Sequence, residues 1–348
     1  MRKHKTMNLA FTGKSVVQIL IYFLLFSGCV KSSDNTDAYI VIPPGPEAKE
    51  QPVPVLKGMC LFAGQAETFT DADWQAIADS PVTDFIIIPK EAAHYGASET
   101  GYKTNLAPFM VNVITQIVSR KSSAKIWIGT PGISSLNYTI AGSSLDPIYN
   151  YLSHVRDQIG ASVWKKNIGG VYMNQEAVYG AIDYNDIYQN PCVKLMSGLS
   201  DRVRTFLKTK FLWIPYYGYG NNAADIIKKI GYVANKTDIF DYVVIQPHYY
   251  FDETVPENLT GVRHCVSKQT ICYRDGIAVT EKTSKTIIGP EMELSWKVVP
   301  PNNYADCVAR YNEYVAAFSE FKNTKPIIFY WDGTLQNALN HRINPFFQ

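Results

Sequence analysis

The sequence predicts a single (β/α)8 barrel over residues 55–348, and three observations lead to it. Short apolar runs recur eight times along these 294 residues. Each holds four to six apolar residues, many β-branched or aromatic, with little alternation. Parallel strands covered on both faces have this composition. Segments of helical periodicity fill most of the gaps, and strand and helix alternating over one domain of this size close into a barrel. The length also suits one large domain with a substantial core. A doubly wound open sheet is the competing arrangement. It brings a glycine-rich phosphate turn after its first strand, and "LFAGQAETF", residues 61–69, is not one.

The elements follow in order. "VLKGMCLFAG" (55–64) is the first strand, and Asp71 to Asp79 the first helix, with Thr70 or Asp71 as its N-cap. "TDFIIIPKE" (83–91) precedes the apolar-striped "LAPFMVNVITQIVSR" (106–120). "AKIWIGTPG" (124–132) precedes "LDPIYNYLSHVRDQIG" (145–160), with Pro147 in the first turn and Gly160 near the end. Strand four is "IGGVYMNQE" (168–176), followed by helical "VKLMSGLSDRVRTFLK" (193–208). Strand five is "KFLWIPYYG" (210–218), followed by "NAADIIKKIGYVA" (222–234). After strand six, "DYVVIQPHYY" (241–250), residues 251–285 show no clear helix. Pro256, Gly261 and many polar residues there predict an elaborated loop, in which Cys265 and Cys272 are spaced to pair. "TIIGPEMEL" (286–294), helical "YADCVARYNEYVAAFSEF" (304–321) and "KPIIFYWDG" (325–333) complete the barrel.

The barrel is expected to be preceded by a signal peptide (1–28) and a flexible linker (29–54). Arg2, Lys3 and Lys5 precede an apolar run of about a dozen residues, short of the ~20 that span a bilayer. The small residues Ser27 and Gly28 before Cys29 resemble the lipobox of bacterial lipoproteins, which implies lipidation at Cys29 and an exported, outer-membrane protein on its periplasmic or surface face. Residues 30–54 are rich in Ser, Asp, Pro and Glu, the composition of an unstructured tether. Four of the 33 basic residues precede Cys29 and no acid does, so the remainder carries a net charge of −2. That leaves no basic field for nucleic acid, and the lipid is the one expected membrane contact. Five further cysteines and the scattered histidines match no zinc spacing, so no metal or other cofactor is expected. No serine-nucleophile elbow is present.

In a barrel the chemistry sits at the carboxyl ends of the strands. Those ends hold Lys90-Glu91, Asn174-Gln175-Glu176, Tyr216-Tyr217, Gln246, His248-Tyr249, Glu291, Glu293 and Tyr330-Trp331-Asp332. Acids end strands four and seven, three steps apart round the ring, where they can face each other across the mouth. Glycosidic cleavage needs two such carboxylates, one to protonate the leaving oxygen and one to attack or to activate water. Glu176 is the candidate acid/base. Glu291 and Glu293, two apart on one strand face, are the candidate nucleophiles. Glu293 matches the depth of Glu176 more closely and is preferred. Tyr216, Tyr217, Gln246, His248, Tyr249 and Trp331 are candidate sugar contacts, with Asn174 and Gln175 as hydrogen-bonding groups. Glu91 is a further candidate, although a rim ion pair with Lys90 explains it as well. Trp127, Trp213, Met173 and Met292 are expected in the core.

A Glu after strand four, a Glu after strand seven and an aromatic on strand eight resemble the clan of retaining TIM-barrel glycosidases. In that clan an Asn directly precedes the acid/base, whereas Asn174 stands two positions before Glu176. More closely, "GVYMNQEAVY", "LWIPYYGYG", "VVIQPHYYF" and "IGPEMELSW" are similar to a family of glycosidase-like barrels, a domain of unassigned function common in lipoproteins of gut Bacteroidota. The resemblance covers most of residues 55–340. It implies a glycoside hydrolase acting on an oligo- or polysaccharide at the cell envelope. The alternative is a lipoprotein that binds carbohydrate without cleaving it.

Overall fold

The computed structural model describes residues 55–89, 98–132, 145–218, 220–249 and 255–348. Eight parallel strands close in sequence order: β1 Lys57–Phe62, β2 Asp84–Ile88, β3 Lys125–Gly129, β4 Ile168–Met173, β5 Lys210–Trp213, β6 Tyr242–Ile245, β7 Ile287–Leu294 and β8 Ile327–Trp331. The chain is a (β/α)8 TIM barrel, and β1 pairs with β8 to close it.

The helices form where stripes and caps predict. Helix α1, Asp71–Asp79, begins on a capping box in which Thr70 and Asp73 satisfy each other's backbone. Helix α2 is Ala107–Arg120 and α3 is Asp146–Asn167. The latter continues past its predicted end because Gly160, at φ 80°, breaks the helix and lets it restart. Helix α4, Pro191–Arg202, is capped by Asn190, whose side chain accepts from the N–H of Cys192 and Val193. Helix α5 is Ala223–Lys236, and α7 is Ala305–Phe318.

The loop expected between β6 and β7 contains a helix, α6, Pro256–Lys268. Pro256 sits in its first turn, where a missing N–H costs nothing. Gly261 is a contact rather than a breaker: a Cβ there would stand 2.4 Å from the Tyr217 hydroxyl. Leu259, Val262 and Val266 make the buried stripe. Cys265 and Cys272 are free buried thiols, and the Cys272 N–H donates to Cys265 Sγ at 3.1 Å.

The strands bury both faces. One set of side chains, including Met59, Phe85, Val171, Trp213 and Met292, packs under the helices. The alternate set, including Cys60, Ile86, Trp127, Tyr172, Leu212 and Ile328, fills the barrel. At the floor, Trp127 meets Tyr242 edge to face at 5.7 Å. Its indole N–H donates to Asp84 Oδ1 at 2.9 Å, and the Thr83 hydroxyl donates to Asp84 Oδ2. No helix among the described residues is long and apolar enough to cross a membrane.

Candidate active site

Inward parity decides which strand-end residues meet at the mouth. On β4 Tyr172 points inward, and steps of two place Asn174 and Glu176 on the same side. Beyond the regular strands the ladder continues. The Tyr216 N–H donates to the Glu176 carbonyl and the Gln246 N–H to the Pro215 carbonyl, both at 2.9 Å. This holds the half-buried Glu176 in place, and Gln246 Nε2 donates to its Oε1 at 3.2 Å and to the Ile214 carbonyl at 2.9 Å. The Tyr216 hydroxyl also hydrogen-bonds Glu176, and burial together with that carboxylate pushes the phenol up. Its ring meets His248 edge to face at 5.5 Å.

The two glutamates of β7 have different surroundings. Glu291 is buried inside the mouth, opposite Ile328, with a long contact of 3.9 Å from the Cys60 thiol. Burial raises its carboxyl well above the usual range, and the charges of Glu293 and Glu176 raise it further. The same charges act on their neighbours. Cys60 is pushed up by burial and then by Glu291 and Glu176, and Tyr172 by burial and then by Glu176. Tyr330 is pushed up to about 12, by burial first and then by Asp332 and Glu291.

Glu293, 1 % exposed, is turned into the wall. Its carboxylate accepts from the N–H of His248 at 3.0 Å, the N–H of Tyr249 at 3.1 Å and the Tyr314 hydroxyl of α7. His248 has a left-handed φ of 51°, and successive N–H groups at such a turn form an anion-holding concavity.

The structure thus brings Glu176, Asn174, Tyr216, Gln246 and Glu291 to one mouth, with the His248 ring against Tyr216. Other candidates lie elsewhere. Tyr217 is fully buried and donates to the Cys272 carbonyl at 2.7 Å. Tyr249 donates to Glu313 on α7. Trp331 is 1 % exposed and donates to the Cys60 carbonyl at 2.6 Å, so it presents no ring face for a sugar. Gln175 is buried under the helices, donating to the Ala177 carbonyl at 2.9 Å. Glu91 and Cys29 lie outside the described residues. Sequence reasoning missed Cys60, Tyr172, Tyr314 and Tyr330, and also Tyr179, an exposed ring close to Tyr216. Counting back in twos from Glu176 reaches Tyr172; nothing comparable marks the others.

A shallow cleft of about 340 Å³ opens at the floor, among Arg204, Lys210, Asp238, Asp241 and Lys285. There Arg204 pairs with Asp241, and Asp238 accepts from the Lys285 N–H. Among the described residues the acids of the floor cleft are thus paired with bases or backbone, whereas at the mouth the charges of Glu293 and Glu176 raise Glu291. No group of three His, Cys, Asp or Glu side chains among the described residues is arranged to hold a metal ion.

No family model matches the chain, and no curated protein matches it. Among solved structures, it is similar to a GH18 chitinase from Pseudoalteromonas aurantia, at 10 % identity and a TM-score of 0.47, over 83 % of this chain and 97 % of that one. The C-terminal domain of Legionella pneumophila ChiA gives 10 % identity and a TM-score of 0.46, over 83 % and 95 % of the two chains. The homocysteine methyltransferase MmuM from Escherichia coli gives 8 % and 0.40, over 82 % and 96 %. Likenesses at such identities assign no chemistry.

Proposed function

We propose that the protein is a glycoside hydrolase in which Glu176 protonates the leaving oxygen of a glycan bound across the barrel mouth. One observation carries this reading. Of the three glutamates at the ends of β4 and β7, Glu176 is the one left half-exposed, steered by an amide and a phenol. An acid positioned in that way contributes about 10²–10⁴-fold to such a reaction.

The β7 acids serve it from behind. Glu291, buried with its carboxyl raised well above the usual range, is a hydrogen-bonding neighbour, and Glu293 positions the loop that carries His248. Attack at the anomeric carbon then falls to water, which gives its proton to solvent, or to a group of the sugar itself, after which water opens the intermediate and returns a proton to the Glu176 carboxylate. Tyr216, Tyr179 and Tyr330 supply ring faces for sugar C–H groups, and Asn174 and Gln246 supply amides for hydroxyls. The burial of both β7 acids also favours a second reading, glycan binding without cleavage.

The test is Glu176→Gln assayed on a polysaccharide panel and on aryl glycosides. Turnover of natural glycans is expected to fall about 10²–10⁴-fold with the melting temperature unchanged. Aryl glycosides with acidic leaving groups, which need no proton, should retain most of their rate. Wild-type rates in the variant would sink the assignment of Glu176. A wild-type protein that binds glycans and never cleaves them would establish the second reading. Export and lipid anchoring through Cys29 belong to the same proposal, and loss of labelled fatty acid in Cys29→Ser tests them.

A further inference from the structure

Trp296 and Tyr304 are large rings left 41 % and 50 % exposed, in the segment between β7 and α7. They meet edge to face with centroids 6.0 Å apart. Single exposed aromatics are ordinary; this pair differs in its position and in how firmly its backbone is held. Leu294, the last residue of β7, pairs with Trp331, so Trp296 stands on the carboxyl-end rim, three residues beyond Glu293. Its N–H donates to the Asp332 carboxylate, and its carbonyl accepts from Asn302 Nδ2 at 3.4 Å. The Tyr304 N–H donates to the Lys297 carbonyl at 2.9 Å, which closes the segment into a loop. Gly333, at φ 89°, lets the end of β8 pass beneath: a Cβ there would stand 2.8 Å from the Trp296 Cβ.

An indole on a hydrogen-bonded backbone beside a second ring, with the amide of Asn302 and the ammonium of Lys297 adjacent, has the chemistry of a pyranose site. The sugar's C–H face packs on the ring, and its hydroxyls reach the amide and the ammonium. Lys297 Nζ lies over the indole ring, 6.0 Å from its centroid, so a sugar packing on that face displaces the ammonium toward its own hydroxyls. The pair sits on the β7–β8 side of the mouth, whereas Glu176 and Tyr216 sit on the β4–β5 side.

We propose that Trp296 and Tyr304 form a distal glycan subsite, occupied by a pyranose of the same chain whose scissile bond lies at Glu176. This rests on the glycan reading above and extends it: the substrate is an oligomer long enough to cross the mouth, not a single glycoside.

The experiment measures binding of glucose-, xylose-, mannose- and N-acetylglucosamine-based oligosaccharides, about two to six units long, to the Glu176→Gln protein by calorimetry. Affinity is expected to climb with length in at least one series. Adding Trp296→Ala is expected to weaken the longest member about tenfold and to flatten the climb, with Trp296→Phe in between. Phe206→Ala is the control. Its ring, 60 % exposed, also meets a neighbour edge to face (Tyr149, at 5.9 Å), but on the helical exterior. It is expected to change nothing. The proposal is overturned if no series binds, if Trp296→Ala leaves the longest member's affinity intact, or if Phe206→Ala costs as much. Wild-type turnover of the same series separates the two ideas. Cleavage with no dependence on Trp296 removes the subsite alone, and Trp296-dependent binding without cleavage removes hydrolysis alone.

Discussion

At the floor of the barrel Asp84 is buried beside Trp127; at the mouth Glu291 is buried beside Cys60. The first carboxylate has been given donors: an indole N–H and a threonine hydroxyl offset the burial that raises it. The second has been given like charges, Glu293 and Glu176, and a distant thiol as its donor. Donors lessen the cost of burying a carboxylate, and neighbouring carboxylates add to it. The contrast separates an end of the barrel where the buried acid has donors from an end where buried acids crowd one another, an arrangement frequent at functional sites. Glu293 complicates the contrast, since it sits at the mouth and is saturated as the floor acid is.

The largest expected effect tests that complication. Glu293→Ala strands the His248 N–H, leaves the Tyr249 N–H only the Tyr314 hydroxyl at 3.2 Å, and takes away that hydroxyl's acceptor; it is expected to cost about 3–5 kcal/mol in urea unfolding. A cost under about 1 kcal/mol joined to a collapse in turnover would move Glu293 from wall to chemistry. Asp84→Ala comes next. It orphans the buried Trp127 N–H and is expected to cost about 1–3 kcal/mol without altering turnover, and a neutral result would erase the distinction between the two ends.

Glu291→Gln is the smallest effect and has the opposite sign. Its carboxyl is raised above the ordinary value of 4.5, so the folded chain holds that proton more tightly than the unfolded chain does. The stability it contributes is complete below the ordinary value and is lost as pH climbs through the raised one. Glutamine has no charge to desolvate. Variant and wild type should therefore melt together in acid and separate as pH rises, with the variant higher. A gap of a few degrees corresponds to roughly 1 kcal/mol. A variant that melts lower at neutral pH would show that Glu291 is held by donors after all.

The eight strands and most helices were legible because apolar runs, stripes and caps are local signals. Helix α6 was not, since Pro256 and Gly261 read as breakers until the first turn and the Tyr217 contact explain them. The mouth was legible only to within one residue. Both faces of every strand are buried, so alternation is hidden, and composition alone does not separate Tyr216 from Tyr217, Glu176 from Gln175 or Tyr330 from Trp331. Closure of the barrel settles each pair by parity. The contrast between Glu291 and Glu293 lay beyond parity as well, because both occupy one face. It depends on the left-handed turn at His248 and on Tyr314, which arrives from a helix further along the chain.

That junction has a kinetic side. The amide protons of His248 and Tyr249 are clamped on a carboxylate that α7 also grips through Tyr314. They exchange with solvent when this junction opens, so two loop amides at the barrel rim report on a contact made by a helix on its outside.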